Sequence, residues 1–175
     1  MPRPSSHADS VLTIDLGAVV ANYRALRDRL SGAECAAVVK ADAYGLGAAR
    51  VAPELAAAGC RTYFVATLDE GIVLRSIFDG LQPAGEAQLF VLNGANPGTE
   101  EEFYEHRLIP VLNSEPQVDA WATVARRRGT PSAAALHLDT GMARLGLSPS
   151  EADVLASEPD RLAAIDLVLV MSHLA

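Results

Sequence analysis

The sequence predicts an α/β protein that folds as an incomplete (β/α) TIM-type barrel. Short apolar runs alternate with stretches in which apolar residues recur at helical spacing. The runs are almost continuously apolar, which is typical of parallel strands covered on both faces. The alternation continues in steps of about 20–30 residues without an antiparallel section, which favours a barrel. A doubly wound open sheet fits the same observations.

Seven apolar runs are predicted to be strands, namely residues 11–14, 35–39, 62–66, 88–92, 108–112, 133–138 and 165–171. The first is a leading strand, and the other six are expected to belong to the barrel. The first predicted helix follows Asp15 and carries an apolar stripe that includes Leu16, Val19 and Tyr23. A second helix is expected over residues 48–58.

Capping sequences indicate where four further helices begin. In such a sequence a Ser or Thr oxygen accepts a hydrogen bond from a free N–H of the first helical turn, and Glu or Gln stands three residues later. The pairs are Thr67 with Glu70, Thr99 with Glu102, Ser114 with Gln117 and Ser148 with Glu151. Each pair follows a predicted strand, which supports the alternation of strand and helix.

The length of 175 residues limits how much of a barrel is present. A complete (β/α) barrel has eight strands and takes about 250 residues. This sequence supplies about six barrel strands and ends soon after the last one. We therefore predict an N-terminal strand (residues 1–14) and a partial barrel (residues 15–175), and we expect the chain to be a piece of a longer protein.

The charge balance argues against several classes of partner. The formal net charge is −8 and the isoelectric point is near 4.9, whereas nucleic acids and anionic membranes recruit Lys and Arg. No apolar run approaches the ~20 residues of a membrane span, and a secretory signal is not apparent. We expect a cytoplasmic protein in which Cys35 and Cys60 are free thiols. The spacing of His and Cys matches no metal site.

The basic residues comprise 13 Arg and a single Lys, Lys40. Arg stays protonated at any accessible pH, whereas a Lys amine can be neutral and nucleophilic. A lysine retained in so Arg-rich a composition is a candidate for chemistry that a guanidinium cannot perform. The alternatives are that one lysine remains by chance, or that it merely ends its strand in water.

Polar residues collect at the carboxyl ends of the predicted strands, where ligands bind in parallel α/β folds. They include Lys40, Asp42, Tyr44, Asn93, Asn113, His137, Asp139, Arg144 and His173. Structural interpretations stay open for several of them. His137 lies in an apolar run that is typical of a core histidine, and Arg144 can pair with Asp139 to brace its loop. Tyr44 can be a core or rim aromatic, and His173 can be a neutral residue at a strand end.

Three stretches are similar to motifs of bacterial alanine racemases. Residues 38–47 (VVKADAYGLG) resemble the segment that carries the pyridoxal-phosphate lysine, and residues 137–146 (HLDTGMARLG) and 172–175 (SHLA) agree in order and spacing. Residues 15–24 resemble the opening helix of the family, and residues 89–94 (LFVLNG) resemble a middle strand. The resemblance covers essentially the whole chain. It implies a barrel that binds pyridoxal 5'-phosphate (PLP), followed in the full protein by a β-rich domain that is absent from this chain.

The resemblance also implies an activity and an assembly. The activity is the interconversion of L-alanine and D-alanine, which supplies D-alanine for peptidoglycan. The assembly is a homodimer in which each site borrows residues from the partner subunit.

Five residues acquire roles from the resemblance. Lys40 matches the catalytic lysine that links covalently to PLP and takes or gives the α-proton on one face of the substrate. Tyr44 matches a tyrosine near the cofactor phosphate, and Leu92 matches an apolar contact to the cofactor. Arg144 matches an arginine that contacts both the phenolic oxygen of the cofactor and the substrate carboxylate. His173 matches a histidine in the hydrogen-bond chain under the pyridine ring.

The sequence departs from the family pattern in two ways. Many members have, at the position of His137, a carbamylated lysine that braces the arginine, and histidine cannot form that carbamate. The tyrosine that acts on the opposite face lies beyond residue 175 in the family. Because inversion needs a second acid on that face, we expect no meaningful turnover from the 175-residue chain alone.

Three alternatives remain for the whole protein. It can be a racemase of another small amino acid such as serine, or a PLP-binding homeostasis protein without turnover. The third alternative is a structural barrel with a vestigial site.

Overall fold

The computed structural model describes residues 9–81 and 87–174, and within these ranges it shows six parallel strands in one sheet. They are β1 (Ala37–Val38), β2 (Thr62–Val65), β3 (Gln88–Val91), β4 (Ile109–Leu112), β5 (Ser132–Leu138) and β6 (Ile165–Ser172). The strands lie side by side in chain order, and each pairs in parallel with the next. This order is that of a (β/α) barrel, whereas the order reverses within a doubly wound sheet. The predicted incomplete TIM-type barrel is confirmed.

Helices connect the strands. They are α1 (Leu16–Arg27), α2 (Lys40–Tyr44), α3 (Ala48–Ala57), α4 (Leu68–Asp79), α5 (Glu100–Glu105), α6 (Glu115–Arg128) and α7 (Pro149–Ser157), with a 3₁₀ turn at Pro159–Arg161. The second of them, α2, is a short left-handed turn rather than an ordinary helix. It occupies the carboxyl end of β1 and therefore lies where the sequence predicts a site.

The two faces of the sheet contribute to separate apolar clusters. The larger cluster packs the sheet against the helices and includes Tyr63, Phe78 and Trp121. The smaller cluster contains Phe90 and Val111 together with Ala135, with partly buried side chains such as Phe64 and Leu92 against it. Because side chains alternate between the faces of a strand, Phe90 and Leu92 share the face that turns away from the helices. That face lines the interior of the barrel.

The leading strand predicted over residues 11–14 is not formed. Residues 10–15 belong to neither a helix nor a strand, and Leu12 is 79% exposed. A strand needs a neighbour that bonds to its N–H and C=O groups, and no strand within residues 9–81 and 87–174 pairs with this stretch. Residues 1–8, which the prediction also assigned to the N-terminal strand region, lie outside the described residues.

Two of the four predicted capping pairs are confirmed. The Glu70 backbone N–H donates to Oγ1 of Thr67 at 3.3 Å. Ser148 and Glu151 form a complete capping box, in which each side chain accepts from the backbone N–H of the other residue. The starts of α4 and α7 are therefore held by the side chains that the sequence indicates.

The capping prediction is wrong at the other two positions. The Thr99 hydroxyl donates to the Asn96 carbonyl at 2.8 Å, and the Ser114 side chain makes no capping bond to α6. Both helices still begin at the predicted places, because their buried faces, which include Phe103 and Trp121, hold them against the sheet. Packing rather than a hydroxyl cap fixes these two starts.

Cys35 and Cys60 are free thiols, as predicted. Burial raises the pKa of the Cys60 thiol, which lies 3.4 Å from the carbonyl oxygen of Thr62. Within residues 9–81 and 87–174, none of the helices combines the length and hydrophobicity that crossing a membrane requires.

Candidate functional site

Lys40 stands at the start of a left-handed turn at the carboxyl end of β1. The φ and ψ angles of Ala41, Asp42 and Ala43 all lie between 47° and 53°, and Tyr44 has a φ of 56°. The left-handed conformation costs an L-residue roughly 1–2 kcal/mol, and it usually occurs at single positions. A run of four such residues must therefore be held in place by contacts from elsewhere in the protein.

The turn is held first by its own backbone and by the start of α3. The Ala43 N–H donates to the Val39 carbonyl, and the Gly45 N–H donates to the Ala41 carbonyl, both at 2.9 Å. The Asp42 carboxylate accepts from the Ala48 N–H at 2.7 Å and so caps α3 from a distance. The segment after Lys40 is thereby joined to the next helix.

A third contact comes from α4. Oε1 of Glu70 accepts from the Ala41 N–H at 2.9 Å, and Oε2 of the same carboxylate accepts from the Ala66 N–H at 2.7 Å. Glu70 therefore bonds to the residue that follows Lys40 and to the residue that follows β2. The sequence indicates this glutamate only as the second member of a capping pair.

The Lys40 side chain is half-buried at the rim of the barrel. Its Nζ lies 6.0 Å from the centre of the Tyr44 ring, at the outer limit of a cation–π contact. Tyr44 itself is 63% exposed, so it is a rim aromatic rather than a core residue. Among the described residues, no carboxylate forms an ion pair with Lys40. The amine is accessible to a ligand at the mouth of the barrel.

His137 is a buried residue of β5 and is bonded to Asn113, which follows β4. Nδ1 of His137 lies 2.9 Å from Oδ1 of Asn113. The Asn113 amide nitrogen donates to the Leu92 and Val111 carbonyls, each at 2.8 Å. These two bonds fix the amide orientation, so Oδ1 is the acceptor and Nδ1 of His137 carries the proton. His137 is thus a core histidine bonded through Nδ1, which agrees with the core interpretation that the sequence left open.

The surroundings of His137 keep it neutral. Burial is the largest cause that lowers the pKa of His137, and the nearby His173 and Arg144 lower it further, while Asp139 acts in the opposite direction. In this tautomer Nε2 is an acceptor, and it has no hydrogen-bond partner within the described ranges.

Arg144 lies in the exposed loop between β5 and α7. Asp139 organises this loop, since its Oδ1 accepts from the Gly141 and Ala143 N–H groups, each at 3.0 Å. These backbone bonds lower the pKa of the Asp139 carboxyl. Within residues 9–81 and 87–174, the Arg144 guanidinium has neither an ion pair nor a hydrogen bond. The alternative in which Arg144 pairs with Asp139 is not observed.

His173 and Leu92 occupy two more strand ends. His173 is exposed just after β6, and its carbonyl accepts from the Thr140 hydroxyl at 3.4 Å. Leu92 is half-buried just after β3, against the interior cluster. No hydrogen bond or ion pair within the described ranges joins Lys40 to these residues or to Arg144. All four nevertheless belong to the same end of the sheet, because the carboxyl ends of parallel strands face the same way.

Comparison with known proteins identifies the family. A family model for the N-terminal domain of alanine racemase matches residues 14–175. The chain belongs to the alanine racemase family. The matched range includes all three stretches, 38–47, 137–146 and 172–175, on which the sequence resemblance depends.

Curated and solved alanine racemases are similar over nearly the whole chain. That of Rhodospirillum rubrum is 55% identical over 169 residues, which are 96% of this chain and 44% of the relative. A crystal structure of alanine racemase from Bartonella henselae, described as having covalently bound pyridoxal phosphate, superposes with a TM-score of 0.86 at 39% identity. It is matched over 93% of this chain and 46% of that one. The chain therefore spans less than half the length of these relatives.

A histidine racemase from Leuconostoc mesenteroides also has this fold. It is 25% identical, with a TM-score of 0.74 over 91% of this chain and 42% of that one. A racemase named for a different amino acid thus has the same scaffold.

Proposed function

We propose that the full-length protein containing this chain is a PLP-dependent alanine racemase that interconverts L-alanine and D-alanine. The observation that carries this proposal is the placement of Lys40. It is the only lysine of the chain, and it lies half-buried and without a carboxylate partner among the described residues, at the carboxyl end of a barrel strand. The similarity to alanine racemases at up to 55% identity supports the same conclusion.

The residues at the rim fit an anionic aldehyde cofactor. Lys40 offers a primary amine, which is the group that joins covalently to an aldehyde. Arg144 offers a guanidinium with no internal partner in the described residues, which suits a phenolate or a carboxylate. Leu92 offers an apolar surface on the interior face, and Tyr44 and His173 offer polar groups after β1 and β6, the two edge strands of the described sheet. When bound, PLP supplies an electron sink that stabilises negative charge at the α-carbon of an amino acid.

The chain itself then supplies three actions. Lys40 holds the cofactor and moves the α-proton on one face of the substrate. Arg144 binds the substrate carboxylate and thereby orients the α-carbon. His137 keeps a neutral ring near Arg144, because burial lowers its pKa, and Asn113 fixes its proton on Nδ1. We assign the acid of the opposite face to residues beyond 175, since none of the tyrosines of this chain occupies that position in the family pattern.

The proposal extends to the organisation of the whole protein. We assign residues 15–175 to the PLP-binding barrel, and we expect a β-rich domain after it. We expect a homodimer in the cytoplasm that supplies D-alanine for peptidoglycan. The acidic charge and the two free thiols are consistent with that compartment and with the absence of nucleic-acid or membrane partners.

The decisive experiment uses the purified full-length protein. Reduction with borohydride in the presence of PLP is expected to add the cofactor to Lys40, and the protein is expected to convert L-alanine to D-alanine. Lys40→Ala is expected to lose both the adduct and the turnover. Arg29→Lys is the matched control, because it adds an exposed amine just after α1, outside the strand ends, and should leave labelling and turnover unchanged.

The other interpretations give different results in the same experiment. An adduct at Lys40 without turnover of any amino acid supports the homeostasis protein. The absence of both supports a structural barrel and overturns the proposal.

A racemase of another amino acid is the second candidate, and the likeness to a histidine racemase favours it. Turnover of L-alanine, L-serine and L-histidine should be compared under the same conditions. A kcat/KM for serine or histidine above that for alanine would replace alanine as the substrate and leave the role of Lys40 unchanged.

A further inference from the structure

Glu70 uses both of its carboxylate oxygens to connect two strand ends. Oε1 accepts from the Ala41 N–H and Oε2 accepts from the Ala66 N–H, at 2.9 and 2.7 Å. Ala41 follows Lys40 directly and is separated from Glu70 by 29 positions. In an ordinary capping box the glutamate returns to the backbone N–H of its own capping residue. Here the Glu70 carboxylate accepts instead from the N–H of Ala41, in the turn that follows Lys40.

The left-handed turn needs a bond of this kind. The first N–H groups of any helical turn have no partner inside the turn. The Ala41 N–H is one of them, and it belongs to the first residue with left-handed angles. A carboxylate makes a stronger bond to an N–H than a neutral acceptor does. Glu70 therefore stabilises the turn at the point where the chain changes hand.

The position of Glu70 is itself fixed from two sides. Its own N–H donates to Oγ1 of Thr67, which sets the start of α4. Its second oxygen is tied to Ala66, which follows β2, and β2 is the strand that pairs with β1. The carboxylate thus connects the Lys40 turn to the carboxyl end of β2, which is part of the sheet.

We propose that Glu70 is a positioning residue, which locks the Ala41 backbone so that the amine of Lys40 is held at the mouth of the barrel. This inference rests on the proposed role of Lys40. It requires an acid of the length of glutamate. Glutamine has only one oxygen, so one of the two N–H groups would face an NH₂ group. Aspartate is one methylene shorter and spans the two N–H groups poorly.

The test uses the full-length protein with two independent measurements. The first is hydrogen exchange at the Ala41 and Ala66 amides, which reports whether the Glu70 carboxylate protects these two N–H groups and needs no cofactor. The second is the PLP concentration that gives half-maximal borohydride-trapped adduct on Lys40, which reports the position of the amine. Both are compared among the wild type, Glu70→Gln and Glu70→Asp.

Two control variants separate positioning from stability. Asp69→Asn removes the neighbouring carboxylate, which makes no hydrogen bond to the turn among the described residues. Thr67→Ala weakens the start of α4 but retains the Glu70 carboxylate. If Glu70 only stabilised the fold, Thr67→Ala and Glu70→Gln would raise the half-saturating PLP concentration equally wherever they lower the stability equally.

We expect Glu70→Gln to speed exchange at Ala41 and to raise the half-saturating PLP concentration, each by about tenfold, as the loss of a charge-assisted hydrogen bond implies. Glu70→Asp and Thr67→Ala are expected to fall between Glu70→Gln and the wild type, and Asp69→Asn to stay within about twofold of the wild type. If Glu70→Gln does not fold, the same comparison is decided by Glu70→Asp.

Two results would overturn different claims. Wild-type exchange at Ala41 and wild-type trapping in both Glu70 variants would overturn the positioning role while leaving the proposed function intact. A wild-type protein that forms no adduct at Lys40 would overturn the proposed function. The exchange rate at Ala41 in the wild type and the Glu70 variants would then still show whether the Glu70 carboxylate stabilises the turn.

Discussion

Asn113 fixes the tautomer of His137 across two neighbouring strands. The Oδ1–Nδ1 distance is 2.9 Å, and both N–H groups of the amide are taken up by backbone carbonyls, so the amide cannot rotate without losing three bonds. A buried polar group whose bonds are all satisfied in one arrangement enforces that arrangement. This pair therefore determines that Nδ1 carries the proton and that Nε2 is the acceptor nitrogen of the imidazole.

Removing the Asn113 amide is expected to be costly. Asn113→Ala leaves the Leu92 and Val111 carbonyls and the Nδ1–H of His137 without partners, and we expect the free energy of unfolding to fall by about 2–4 kcal/mol. Urea denaturation of the full-length protein measures this loss. Asn93→Ala is the control, because Asn93 is exposed and, in the part of the chain that the structure describes, is bonded only through its backbone. Equal effects of the two substitutions would refute the buried network.

The stability of the fold is expected to depend on pH through His137. In the unfolded chain a histidine titrates with a pKa of about 6.5, whereas in the folded protein the pKa of His137 is lowered, chiefly by burial. Between the two values only the unfolded chain binds the proton, so the contribution of His137 is complete above about pH 6.5 and is lost as the pH falls.

Urea midpoints between pH 7.5 and 5.5 measure this dependence. His137→Gln should flatten the slope, because the titrating group is removed. His106→Gln, at the half-buried residue that caps the end of α5, is the matched control. A slope that persists in His137→Gln would assign the effect to another group.

The loop that carries Arg144 depends on a close approach at Gly146. A Cβ at this position would lie 2.8 Å from the Asp139 nitrogen, and the φ of Gly146 is +108°. We expect Gly146→Ala to destabilise the protein by about 2–3 kcal/mol through both strain and the clash. Gly141→Ala is the matched control. Its φ is also positive, but a Cβ there meets nothing within 4 Å, so about 1 kcal/mol is expected. Thermal or urea unfolding distinguishes the two substitutions, and an equal cost would mean that the loop adapts.

The side chains of Ser148 and Ser114, which stand at helix starts, are expected to contribute differently to the free energy of unfolding. Ser148→Ala removes a capping oxygen from α7 and should cost about 1 kcal/mol. Ser114→Ala should cost less than about 0.5 kcal/mol, since Ser114 makes no side-chain bond to α6. Urea denaturation of the two variants under identical conditions makes the comparison. A larger loss for Ser114→Ala would contradict the observed cap geometry.

Much of the barrel follows from local sequence. The six barrel strands, most helix starts and the cluster of polar residues at the strand ends are set by apolar periodicity and by the residues that flank it. The leading strand at 11–14 could not be judged in this way. Its pattern is apolar enough, but a strand also requires a partner, and pairing is a property of the whole sheet.

The site was predictable only in its residue types. Lys40 stands out because the composition contains no other lysine. The bonds that arrange the site join residues far apart in sequence: Glu70 to Ala41 and His137 to Asn113, with separations of 29 and 24 positions. The capping pattern already accounts for a glutamate at position 70, so the sequence gives no separate indication that its carboxylate bonds to Ala41. The hand of the Lys40 turn is likewise hidden, because alanine has no preference for left-handed angles.

The hand of that turn has a chemical consequence. The backbone angles of Ala41 are those that a mirror-image residue adopts in its own most stable helical region. Protein made by chemical ligation with D-alanine at position 41 would therefore keep the same backbone path without the steric penalty of the L-form, with its methyl group where the L-residue has its α-hydrogen. In such a molecule the carboxylate of Glu70 would oppose strain only at Asp42, Ala43 and Tyr44.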